Sequence, residues 1–162
     1  MSVDSVVSRL NPLVCWLLRS PLHFVASPGL LLLTLTGRRS GRRHSFPVGY
    51  QRDGEVLTVM VSEAPSKQWW QNLREPAPVE VVLRGRAHGG RAELVPAGSD
   101  LFFRCAEDTL RRVPGMDRVF GIRWDRRAAL SPEQRERLSG NVAVVRIQLT
   151  HALDAAVTPS GR

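Results

Sequence analysis

Four arginines fall within six residues in the stretch TGRRSGRRHSFP (36–47): Arg38, Arg39, Arg42 and Arg43, interrupted only by Ser40 and Gly41. Guanidinium groups stay charged at any physiological pH and make paired hydrogen bonds to phosphate or carboxylate. Gly37 and Gly41 permit the tight turns in which successive backbone N–H groups point at one anion. The chemistry open to this spacing is anion binding; a solvated loop is the bland reading of the same residues. The G-x-x-x-x-G-K-[ST] phosphate loop is missing from the chain, so nucleotide hydrolysis of that type is not expected.

Other chemistry is sparse. His23, His88 and His151 have no companion pattern for a metal, and Cys15 and Cys105 lack metal-ligand spacing, so no metal site is expected. No nucleophile–base pair or carboxylate dyad stands out, and no catalytic side chain is assigned. That suits hydride transfer by a bound cofactor better than hydrolysis.

Charge sharpens the picture. The net charge is +8, yet residues 1–52 hold seven arginines against one acidic residue, a local +6, while the other 110 residues balance to +2. A field concentrated in this way points to a site rather than to general solubility. Lys67 is the only lysine, so part of the arginine content reflects overall usage. Arg19, Pro21, His23 and Pro28 interrupt the apolar run 13–36, which excludes a membrane-spanning helix of roughly 20 continuous residues. With no recognisable secretory signal, a reduced cytoplasmic chain is expected.

The elements that must position the loop follow from periodicity. Asn11-Pro12 and Ser20-Pro21 are helix-start signals, and Leu13, Val14, Leu17 and Leu18 share a helical face. Residues 30–36 read as a buried strand. FPVGYQ and EVLTVMV flank Asp53-Gly54 as a hairpin, with Pro47 suited to a strand start or an edge. SKQWWQNLR (66–74) reads as a short helix with Ser66 as N-cap, and residues 79–96 as a second hairpin with a bend or bulge at His88-Gly89-Gly90. A helix opens at Ser99-Asp100, placing Phe102, Phe103, Ala106, Leu110 and Val113 on one face. Another opens on a capping box at Ser131 and Gln134 and stops at Gly140, before a closing strand NVAVVRIQL. About six mainly antiparallel strands with flanking helices predict an α+β, barrel-like domain.

The stretches LTLTGRRSGRRHSFPVGYQRDG and VSEAPSKQWWQNLREPAPVEVVLRGR (33–54 and 61–86) together resemble the deazaflavin (F420)-dependent nitroreductase and quinone reductase family. The resemblance covers residues 10–95 and, more loosely, the final strand. It implies a split β-barrel related to flavin-mononucleotide reductases: an N-terminal helical segment over 1–29 packed on the barrel, the cofactor domain over 30–152 and a tail over 153–162. It further implies an oxidoreductase passing hydride between F420 and a small apolar acceptor such as a quinone, enone or nitro compound.

By the same resemblance Arg38, Arg39, Ser40 and Arg43 grip the cofactor's phosphate and acidic tail, and His44, Ser45, Phe46, Pro47, Val48 and Gly49 run past its ribityl chain and ring. Met60, Val61 and Ser62 line the pocket from the next strand, and Trp69, Trp70 and Asn72 wall it. The family's lid tyrosines have no counterpart here, because Tyr50 is the only tyrosine in the chain. Met116 and Phe120 stand in that region and are expected to make an apolar acceptor pocket.

Two alternatives stay open: the same fold holding FMN or haem without deazaflavin turnover, and a basic nucleic-acid-binding protein resting on the local charge alone. A monomer or homodimer is expected, with no specific nucleic-acid partner. A peripheral contact at the inner face of the cell membrane, through the N-terminal leucine stripe, is part of the same expectation.

Overall fold

The computed structural model describes residues 29–152; the N-terminal helices and C-terminal tail expected from sequence lie outside the described residues. Seven strands are present: β1 (Leu30–Thr36), β2 (Arg43–Gly49), β3 (Gln51–Asp53), β4 (Val56–Val61), β5 (Ala77–Leu83), β6 (Arg86–Val95) and β7 (Ala143–Ala152). Helices are α1 (Asp100–Arg112), α2 (Met116–Val119) and α3 (Pro132–Asn141), with 3-10 turns at Ala64–Ser66 and Trp69–Leu73. The strands hydrogen-bond in the order β2-β1-β5-β6-β7-β4-β3. The described residues divide into two compact units, one holding 29–49, 78–91 and 149–152, the other 50–77 and 92–148.

In the first unit β1 is the organising strand. Leu31, Leu32, Leu33, Thr34 and Leu35 are all buried. Successive side chains of a strand point to opposite faces, so a run buried at every position is covered on both. Its antiparallel neighbours place Leu33 opposite Phe46 and Val81, and Leu32 opposite Pro47 and Val82. Pro47 thus lies in an edge strand, where its missing N–H costs no ladder bond. The β5–β6 hairpin turns at Arg84 (φ 47) and Gly85 (φ 80), the two positive φ values of a tight hairpin turn. His88-Gly89-Gly90, expected to bend the chain, instead lies within β6, because Arg84-Gly85 closes the hairpin earlier.

The second unit carries the helical core. Ser99 caps α1 by accepting a hydrogen bond from the Phe102 N–H at 3.2 Å. Phe102, Ala106 and Leu110 are buried together with Phe120, Ile122, Leu130, Leu138 and Val144. Phe103 is only half-buried and meets the Arg135 guanidinium 4.7 Å from its ring centre, a contact worth about 0.5–1 kcal/mol at an exposed site. Val113, expected on the same face, is 38% exposed, since α1 ends at Arg112. The capping box at Ser131 and Gln134 is present.

Two local expectations change. Phe46–Gln51 is not one strand: β2 ends at Gly49 and pairs with β1, whereas β3 starts at Gln51 and pairs with β4. The Asp53-Gly54 turn does close β3 on β4, with Gly54 at φ +60. The short helix expected over 66–74 is two 3-10 segments, and Ser66 ends the first of them, its hydroxyl donating to the Glu63 carbonyl at 2.8 Å.

Candidate functional site

The arginine segment is the connection between β1 and β2, which stay in register to the Thr36–Arg43 pair. Its shape is set by short backbone bonds. The Gly37 N–H donates to the Arg42 carbonyl at 2.8 Å, and the Gly41 N–H to the Gly37 carbonyl at 2.9 Å. The Ser40 hydroxyl accepts from the Arg42 N–H at 3.2 Å. Gly37 is buried, and a Cβ added there would stand 2.8 Å from Ser40 Oγ and 3.3 Å from His44 Nε2. Gly41 has φ +66, where glycine alone is unstrained.

Gly41 is therefore demanded by its backbone, whereas at Gly37 the close atoms are exposed side-chain ends that can move. We expect Gly41→Ala, which forces a side chain into the left-handed region, to cost about 1–2 kcal/mol of stability. Urea titration checks this, and a wild-type midpoint would show the loop to be looser than its bonds imply.

Arg38, Arg39, Ser40, Arg42 and Arg43 all face solvent. Arg39 and Arg42 have no ion-pair partner among the described residues. Arg43 differs: its Nη2 lies 2.9 Å from Glu80 Oε2 in β5, the two side chains 65% and 30% exposed. Pairs this exposed are worth about 0–1 kcal/mol, so the bridge aims Arg43 more than it stabilises the sheet. Glu80 lies opposite Thr34, and the Thr34 and Ser45 hydroxyls hydrogen-bond at 2.7 Å. A polar row thus crosses β2, β1 and β5 beside the arginine loop. No sequence signal links Arg43 to a carboxylate 37 residues away.

Strand alternation divides the other expected residues of β2. Arg43, Ser45, Pro47 and Gly49 fall on one face, His44, Phe46 and Val48 on the other. Phe46, Pro47 and Val48 are half-buried, while His44 and Gly49 are exposed.

The second set of expected residues lies in the other unit. Met60 packs against the helical core, Val61 is 3% exposed and pairs with Ala143, and Ser62 is half-buried at the strand end. Trp70 donates its indole N–H to the Ala64 carbonyl at 2.8 Å, and Asn72 Nδ2 donates to the Trp69 carbonyl at 3.0 Å. Of the two tryptophans it is Trp70 that lines a cleft of about 330 Å³, with Ala64, Pro65, Leu94, Ser139 and Gly140 among its walls. Met116 is half-buried against the core, and Phe120 lies inside it at 1% exposure.

An open groove of about 550 Å³ between α2 and α3 carries Arg118, Arg123 and Arg137 with Glu133. The charge count along the chain concealed it, because the near balance of residues 53–162 averages over this cluster.

Comparison with known proteins gives the family and the fold. The profile of the F420H(2)-dependent quinone reductase family matches residues 22–113. No curated protein sequence matches the chain. Among solved structures, an F420-H2-dependent reductase (FDR-A) superposes with a TM-score of 0.53 at 13% identity, over 75% of this chain and 95% of that one. A candidate pyridoxamine 5'-phosphate oxidase from Listeria innocua gives a TM-score of 0.50 at 15% identity, over 82% and 92%. A structure described as a domain-swapped dimer gives 0.52 at 12% identity, over 75% and 81%. At such identities the likeness is one of fold, and the fold is the split β-barrel class expected from sequence, with seven strands rather than about six.

Proposed function

The chain belongs to the F420H(2)-dependent quinone reductase family and is an F420-dependent oxidoreductase; we propose that its acceptor is a small apolar quinone or enone. The observation that carries the site assignment is the β1–β2 loop, closed on a buried Gly37 and presenting Arg38, Arg39 and Arg42 to solvent. The donor set fits the group: guanidiniums and a serine hydroxyl suit the phosphate and carboxylates of F420, and FMN lacks the acidic tail. Bound in reduced form, the deazaflavin supplies a hydride.

In this reading Arg38, Arg39 and Ser40 hold the phosphate and tail, and Arg43, aimed by Glu80, flanks them. One face of β2 supports the ring. Met60, Ser62, Trp69, Trp70 and Asn72 belong to the other unit, where we assign them to the acceptor side. Reduction of a quinone to its hydroquinone also needs a proton, and we assign it to water because the chain has a single tyrosine.

A homodimer is the assembly we favour, supported by the relative described as a domain-swapped dimer. Among the described residues no helix is long and apolar enough to cross a membrane. Cytoplasmic residence, with contact at an anionic membrane surface where apolar quinones dissolve, belongs to the same proposal.

The test is a fluorescence titration of the purified protein with F420 and FMN, followed by turnover of reduced F420 against quinone, enone and nitroaromatic panels. F420 should bind more tightly than FMN, and nitroaromatics should be the poorest acceptors. Equal or reversed cofactor affinities, or fast nitroaromatic reduction with no response to quinones, would sink the reading.

A further inference from the structure

Gly140 lies near the end of α3, and the sequence suggests a helix stop. The helix nevertheless continues to Asn141, and the Gly140 φ is outside the left-handed region. A Cβ built at Gly140 meets no heavy atom within 4 Å. Neither turn geometry nor crowding therefore demands glycine, which is among the least favourable residues in a helix. What its bare backbone does is form part of the wall of the cleft beside Trp70.

The cleft has a distinct chemistry. Among the described residues no ionisable side chain lines it, and Ala64, Ala97, Gly140 and Ala143 keep it open. Trp70 is held by its N–H bond to the Ala64 carbonyl at 2.8 Å, so its one polar atom is already satisfied and the ring is left for apolar contact. The Ser139 hydroxyl donates to the Arg135 carbonyl at 2.9 Å, which leaves its oxygen as an acceptor. Small-molecule sites run from about 300 to 1,000 Å³, and a cleft of about 330 Å³ falls at the end suited to one or two fused rings. A charged ligand would lose its hydration with no counter-charge to replace it.

We propose that this cleft binds the flat, uncharged ring of the hydride acceptor, stacked on Trp70 and seated against the bare backbone at Gly140. The assignment rests on the acceptor reading given above. It makes Gly140 a specificity residue, because any side chain there occupies the ring's place.

The experiment uses the full chain with 2-methyl-1,4-naphthoquinone, in three measurements on wild type, Gly140→Ala and Gly140→Leu. These are tryptophan quenching by the quinone without cofactor, F420 affinity, and quinone KM with reduced F420. Gly140→Ala should melt at or above the wild-type temperature while binding quinone more weakly. Gly140→Leu should raise the quinone Kd and KM about tenfold or more, the scale of excess methylenes in an apolar pocket, with F420 affinity unchanged. Wild-type quinone affinity in both variants overturns the cleft assignment even if F420 turnover stands. Absence of F420 binding by the wild type overturns the functional reading instead, and quinone quenching then still reports on the cleft alone. Should Gly140→Leu fail to fold, Gly140→Ala decides the matter by itself.

Discussion

Replacing Arg38 and Arg39 together with alanine should weaken F420 binding by about 3 kcal/mol or more, since each lost charge-assisted contact costs about 1.5–3 kcal/mol. That is a factor of roughly a hundred or greater in Kd. Both side chains are exposed, so their removal leaves no cavity. The turn that carries them is held by the Gly37–Arg42 and Gly41–Gly37 backbone bonds and by the Ser40 hydroxyl, none of which involves a guanidinium. Thermal stability should change far less than affinity, since both positions lie on the surface. Arg43→Ala should do less to affinity, because Arg43 already shares its charge with Glu80 at 2.9 Å. Fluorescence titration paired with a thermal melt separates the outcomes. An unchanged Kd in the double variant would mean that the loop is merely solvated. A drop of several degrees in melting temperature would make these arginines structural.

The parts of this arrangement that were legible in the sequence are those written over a few adjacent residues. The five consecutive buried positions of β1, the Asp53-Gly54 turn, the Ser99 cap and the Ser131–Gln134 capping box each depend on neighbours within a turn or a strand. The tight turn of the arginine loop was legible for the same reason, since Gly41 bonds to Gly37 and both Gly37 and Ser40 bond to Arg42.

What depends on pairing between distant segments was not legible. Nothing local tells that Tyr50 divides one apolar run into β2 and β3, which hydrogen-bond to different partners. Glu80 meets Arg43 only because β1 brings β2 and β5 to its two sides. Trp69 and Trp70 are indistinguishable by residue type, and a bond from the Trp70 indole to Ala64 sets its orientation. Gly140, a local signal, marks the end of α3 to within one residue, since the helix closes at Asn141.

Phe120 shows how much rides on such placement, and it carries the other large expected effect. As the aromatic residue standing where family tyrosines would be, it was expected to line the acceptor pocket. Its side chain is instead 1% exposed, in a cluster with Val95, Phe102, Leu110, Ile122 and Leu138. The backbone fixes it there: the Phe120 N–H donates to the Met116 carbonyl at 2.9 Å, and Gly121 turns the chain away at φ +72. Truncating a buried phenylalanine removes its transfer energy and leaves a cavity, so Phe120→Ala should cost about 3–5 kcal/mol of stability. Against a typical total of about 5–15 kcal/mol, that threatens folding, and Phe120→Leu is the gentler companion. A core role and a pocket role then diverge in kinetics. In the core, Phe120→Leu lowers the urea midpoint and leaves the acceptor KM at the wild-type value for the folded fraction. In the pocket, KM rises while the midpoint holds. We expect the first pattern, and with it an acceptor site whose apolar character comes from residues other than Phe120.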